Sequence, residues 1–141
     1  MASNNVSGPS GTTPEDLARI AADLALEKKG EDVIILDLRG FSLGCDFFVI
    51  LTATSGPHVK ALAEWIEDEM IRRHGAKPWH REGLPLGAWV LLDYVDFVVH
   101  IFDRESREHY MLERLWGDAP REERQGPEGA AASFDDEEDE G

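Results

Sequence analysis

Between Trp89 and Phe102 the chain reads Trp-Val-Leu-Leu-Asp-Tyr-Val-Asp-Phe-Val-Val-His-Ile-Phe, and few arrangements accommodate such a stretch. Trp89 to Leu92 and Phe97 to Phe102 are rich in β-branched and aromatic residues, which suit a pleated, half-buried surface, and the two aspartates between them mark a reversal. The stretch therefore predicts two strands joined by a tight turn. Two features break its apolar character: Asp93 and Asp96 bracket Tyr94, and His100 interrupts Val98, Val99, Ile101 and Phe102. His100 reads either as a core or edge histidine satisfied by one hydrogen bond, or as part of a hairpin that forms a binding surface.

Before the hairpin, Thr13-Pro14-Glu15-Asp16 carries the marks of a helix start: a capping threonine, a proline at the first helical position and acids at the positive end of the dipole. Leu17, Ile20, Ala21 and Leu24 follow at helical spacing, and Lys28-Lys29-Gly30 supplies a stop. Val33 to Leu36 is a short continuous apolar run, the pattern of a strand covered on both faces, and Phe47 to Leu51 is a second. Thr52 to Pro57 leads into another helix with Val59, Leu62, Ala63, Ile66 and Met70 as its stripe, ended by Arg72-Arg73-His74-Gly75. Lys77 to His80 reads as a short edge strand, because Pro78 excludes a central one, and Glu82 to Gly87 as a loop. After the hairpin Asp103 caps a closing helix in which Met111, Leu112 and Leu115 share a face, ending at Gly117. The order predicts an α/β fold: two layers, a mixed sheet and flanking helices, in one domain over residues 13–119. Residues 1–12 offer too little to bury to be ordered, and 120–141 read as a disordered acidic tail closing on Asp135 to Glu140.

Charge narrows the function. The formal charge of −15 is unevenly spread: ten acids and two arginines lie from Gly117 onward, and Glu15 to Trp116 holds nineteen acids against twelve bases. Even that middle lacks the basic excess that phosphate binding requires, so a protein partner fits better than bare nucleic acid. The single cysteine, Cys45, cannot form an intramolecular disulfide and suits a reducing cytosol. No apolar run approaches the roughly 20 residues that span a bilayer, and the N-terminus shows no signal-peptide pattern. The expectation is a soluble, cytoplasmic protein.

The segment Gly40 to Phe48 raises an enzymatic alternative, because nucleotidyltransferases place a Gly-Ser pair before two carboxylates two apart on a strand, where both face one Mg²⁺ site. Here Asp46 is followed at the second position by Phe48, and no phosphate-cradling glycine loop occurs. Asp46 reads instead as a turn cap or a partner of Arg39. The five histidines show no metal-ligand spacing, and Ser42 and Ser55 lack a nucleophile-elbow setting. Conspicuous aromatics without an assembled active site compose an interaction module, with no enzyme activity and no cofactor.

Six segments in order resemble the ribosomal silencing factor family, RsfS or Iojap: Leu36-Asp37-Leu38-Arg39, Asp46 to Ile50, Thr54-Ser55 with His58-Val59, Trp89 to Tyr94 with Asp96, Val98 to Phe102, and Leu112 to Trp116. The resemblance implies a nucleotidyltransferase-like fold lacking the catalytic carboxylates. It also implies binding to the large ribosomal subunit through its L-fourteen protein, which blocks joining of the small subunit when nutrients are short, with large-subunit assembly as an alternative role of the same surface. The residues it carries across are Trp89, Leu91, Asp93, Tyr94, Asp96, His100 and Phe102, with little direct nucleic-acid contact and no membrane. An exposed apolar hairpin also suits a homodimer when the partner is absent. Three positions depart from the family's usual pattern: Val95 for Gly, Phe47 for Tyr and Ala53 for Gly. A β-branched residue is poorly suited to positive φ, so Val95 implies either a different turn or a strained one.

Overall fold

The computed structural model describes residues 12–83 and 88–125. The expectations for the leader up to residue 11, for most of the loop before Trp89 and for the acidic tail beyond 125 lie outside the described residues.

Helix α1, Pro14–Glu27, begins as the sequence predicts: Thr13 Oγ1 accepts from the Asp16 N–H and the Asp16 carboxylate accepts from the Thr13 N–H, closing a reciprocal cap. Its buried face is mostly small, with Ala18, Ala21, Ala22 and Ala25 beside Leu17 and Leu24, so the helix sits close on the sheet. The stop is made differently from the glycine cap expected. Lys29 takes the left-handed conformation at φ 67°, while Gly30 serves close packing, since a Cβ there would lie 3.0 Å from both the Ala25 carbonyl oxygen and Leu51 Cδ1.

Strands β1 (Glu31–Asp37) and β2 (Phe47–Ala53) pair antiparallel. Helix α2, Gly56–His74, is capped by Ser55 and closed by Gly75, and it buries Val59, Leu62, Ala63, Ile66 and Met70. Its one buried acid, Glu69, is answered by Arg72 and Arg73, which hold its carboxyl below the usual range. Then come β3 (His80–Glu82), β4 (Trp89–Asp93) and β5 (Phe97–Asp103), and β5 pairs antiparallel with β4 and parallel with β2. The edge strand thus falls slightly beyond the predicted Lys77 to His80.

The full sheet order is β3-β4-β5-β2-β1-β6. Its last member corrects the reading of residues 120–141 as tail from the outset: β6, Arg121–Arg124, pairs antiparallel with β1. Four charged residues carry no apolar signal, but Glu122 meets Arg19 and Arg124 meets Asp23, both on α1, so ion pairs hold the strand from the helix side.

Alternation along the strands divides the core. Val33, Ile35, Val49, Leu51, Val99 and Ile101 face α1 and α2, whereas Ile34, Leu36, Ile50 and Phe102 face the opposite side. That second side is only partly covered. The expected single closing helix is broken in two, α3 (Arg104–Tyr110) and α4 (Leu112–Leu115), because Met111 stands left-handed at φ 47°. Arg107 pins this segment across the sheet, donating to Thr52 Oγ1 at 2.7 Å and to the Asp32 carbonyl at 3.1 Å while pairing with Glu113. The segment crosses from β2 to β5 and lays Tyr110 over Trp89 and Phe102, leaving the hairpin end of β4 and β5 open as a groove.

Candidate docking groove

On the uncovered side, β4 contributes Trp89, Leu91 and Asp93, and β5 contributes Val98, His100 and Phe102 in direct register opposite them. Phe48 of β2 extends the same face beside Val98. The result is a groove of roughly 690 Å³ with a floor of Phe48, Leu91, Val98 and His100. One wall is Leu43 and Cys45 from the loop between β1 and β2, and Trp116 after α4 closes an end.

Aromatic packing makes the floor stiff. Trp89 stacks on Phe102 with centroids 4.8 Å apart and is covered from above by Tyr110 at the same separation. Phe102 is thereby fully buried and acts as the support under Trp89, not as a contact surface. The Trp89 indole N–H donates to His100 Nδ1 at 3.1 Å, and Phe48 meets the imidazole edge-on at 4.5 Å. An indole nitrogen is only a donor, so Nδ1 is the acceptor and the neutral ring carries its hydrogen on Nε2. That Nε2 is buried with no partner among the described residues. Burial also pushes the His100 pKa down to about 3, so the ring is uncharged at neutral pH. Of the two readings of His100 the first is met literally: it is a buried histidine holding one hydrogen bond, and it also forms part of the open face.

Around this apolar floor the charge is negative. Asp46, Asp93 and Asp96 lie close enough that, after burial itself, they raise the Cys45 thiol pKa, and Asp46 adds to the upward shift that burial gives Asp96. No lysine or arginine is among the groove's lining residues.

The other site residues named from the sequence separate. Tyr94 points to the helix side, stacked on Phe97 at 4.8 Å with 7° between the rings, and its hydroxyl is buried without a partner among the described residues. Burial, with Glu67 adding to it, raises its pKa above the ordinary tyrosine value. Asp96 lies in the turn, where its carbonyl accepts the Asp46 N–H at 2.7 Å and ties the hairpin to the loop. Thus Leu91, Asp93 and His100 come together in the groove, Trp89 and Phe102 support it beneath Tyr110, and Tyr94 lies behind it.

Two residues that sequence reasoning did not place in the binding surface, Trp79 and Val95, also line the groove. Val95 adopts φ 76°, and the Asp96 N–H bonds back to the Tyr94 carbonyl across it, the geometry of a positive-φ γ-turn. Of the two alternatives posed for Val95, the strained turn is the one observed. Gly83 fixes the neighbouring chain: a Cβ there would fall 2.0 Å from the Trp89 carbonyl oxygen, and its φ is 87°. Arg39 bonds Asp37, not Asp46, through its guanidinium. Asp46 uses its backbone to receive the Leu38 N–H at 2.8 Å. Among the described residues no group of three or more His, Cys, Asp or Glu is placed to hold a metal ion, and no helix is long and apolar enough to cross a membrane.

A family model described as "Ribosomal silencing factor during starvation" matches residues 11–141. The chain belongs to the ribosomal silencing factor family. It is 40% identical over 106 residues to ribosomal silencing factor RsfS of Bacillus subtilis, covering 75% of this chain and 89% of that protein. The RsfS protein of Halalkalibacterium halodurans is 38% identical over 112 residues, 79% of this chain and 95% of its own. A crystal structure of a protein from Chromobacterium violaceum superposes with a TM-score of 0.72 at 30% identity, covering 75% of this chain and 88% of that one. The family kinship reaches chloroplasts: protein Iojap of Arabidopsis thaliana is 30% identical over 122 residues, 83% of this chain and 50% of that protein.

Proposed function

We propose that this protein is a translational silencer acting in the cytoplasm: it docks the open face of β4 and β5 on the L-fourteen protein of the large ribosomal subunit and keeps the small subunit away by occupying the joining surface. The observation that carries this reading is the groove itself, an aromatic, uncharged floor flanked by Asp46, Asp93 and Asp96 and lined by no cation. Rigid aromatic anchors give large contact area with few torsions to freeze, and such clusters carry most of the energy of protein interfaces. The carboxylates complement a basic ribosomal protein, and the excess of acids disfavours direct contact with rRNA.

The mechanism requires no chemistry, only exclusion. Co-sedimentation of the purified protein with separated large and small subunits tests it, alongside Leu91→Arg and Trp89→Ala. Pelleting with large subunits alone, weakened by both substitutions and accompanied by reduced subunit joining, is the expected result. Failure to associate with large subunits at moderate salt defeats the reading.

A further inference from the structure

At the hairpin end of the groove two exposed apolar side chains, Trp79 and Val95, have no role so far, and the carboxylate of Asp93 beside them has been given only a general one. Trp79 is 74% exposed, yet its backbone is fixed, with the N–H donating to the Asp93 carbonyl at 2.8 Å. Val95, on the same rim, is 50% exposed and is held outward by its positive-φ turn. Asp93 lines the same groove, and one of its carboxylate oxygens accepts the Val95 N–H at 2.8 Å while the other has no partner among the described residues. Two exposed apolar side chains and a half-used carboxylate thus line one end of the groove.

We propose that Trp79, Asp93 and Val95 form a clamp for a single arginine or lysine side chain of the protein partner, its aliphatic stem lying between the indole and Val95 and its cation on the free Asp93 oxygen. The proposal rests on the docking reading above and names the partner group taken at this end of the groove. Long cationic side chains match such a site because their stems cover apolar surface while their heads seek charge. The nearby Asp46 and Asp96 strengthen the attraction and repel a carboxylate. Arginine fits better than lysine, since a flat guanidinium stacks on an indole and forks onto a carboxylate. The clamp extends the surface beyond the sheet face to the residue that precedes the edge strand β3.

The test is titration of the full-length protein with isolated L-fourteen protein and with large subunits. Trp79→Ala and Asp93→Asn are each expected to weaken binding about tenfold, and the double variant is expected to lose little more than either single one, because both residues hold the same side chain. Trp79→Phe keeps most of the affinity. Trp79 is exposed, so its removal leaves the fold intact. Unchanged binding by Trp79→Ala, or losses that multiply in the double variant, overturns the clamp. Leu91→Arg separates the two claims: if it abolishes binding while Trp79→Ala leaves the affinity unchanged, only the clamp fails, and if folded Leu91→Arg binds like the parent, the docking reading fails with it.

Discussion

Trp89 and His100 meet across β4 and β5 through one hydrogen bond, indole N–H to imidazole Nδ1 at 3.1 Å, and that bond fixes which nitrogen of a buried ring carries the hydrogen. Burial lowers the native pKa of His100 to about 3, against roughly 6.5 for an unfolded histidine. Between those values the unfolded chain binds a proton that the native state refuses. Stability is therefore full above about pH 6.5 and declines as pH falls toward the native pKa, by up to about 1.4 kcal/mol per pH unit. Denaturant unfolding in steps from about pH 7 to pH 5, above the range where most carboxylates titrate, reads this slope. His100→Phe flattens it, and an equal slope in that variant would place the proton elsewhere.

Val95 holds φ 76° with a β-branched side chain. That conformation costs of order 1–2 kcal/mol, of which a glycine recovers part after its own entropic penalty. Val95→Gly is expected to raise stability by about 1 kcal/mol while weakening partner binding, since the rim loses an apolar wall. Thermal melting and titration on one preparation check both signs. A variant that is less stable than the parent shows the turn to be unstrained.

Tyr94 carries an orphaned hydroxyl against Phe97 on the helix side. Tyr94→Phe removes a buried donor that has no partner and leaves stability unchanged or slightly higher. Tyr94→Ala opens a cavity and costs about 3–5 kcal/mol. At temperatures where it remains folded, Tyr94→Ala binds large subunits nearly as well as the parent. A tenfold loss of affinity with unchanged melting would return Tyr94 to the contact surface.

Strands, helices and caps were legible because their signals are local: Thr13 and Asp16 three apart, alternation through Trp89, Leu91 and Asp93, and apolar runs in β1 and β2. Side choice fails where alternation stops. Tyr94 begins the turn, so neither its motif nor its period tells which face it takes, and the structure turns it to the helices. Phe102 keeps the expected face, but only the stacking of Trp89 on it shows that it is support. Trp79 and β6 depend on distant partners. The indole is presented by a bond to Asp93, and the four charged residues of β6 become a strand through the edge of β1 and through Arg19 and Asp23 on α1, about a hundred residues away.

That dependence makes β6 a test of what closes the sheet. Its ion pairs, Arg19 to Glu122 at 3.0 Å and Arg124 to Asp23 at 2.8 Å, are partly exposed, so solvent screening keeps their contribution small. The larger effect lies in the backbone, because removing β6 bares the N–H and C=O groups of β1 along Val33 to Leu36, where the side chains are buried on both faces. An unpaired apolar edge is a template for another chain. A chain ending at Pro120 is expected to melt several degrees lower and to associate as concentration rises, seen by size exclusion with light scattering. Its monomeric fraction should still bind large subunits, because β6 lies at the opposite end of the sheet from β3 and β4. Arg124→Gln in the full chain should do little, since it leaves the ladder to β1 in place. If the shortened chain stays monomeric with an unchanged melting temperature, the β1 edge is protected by its own twist and the bulge between Glu31 and Ile34, and β6 adds nothing to closure.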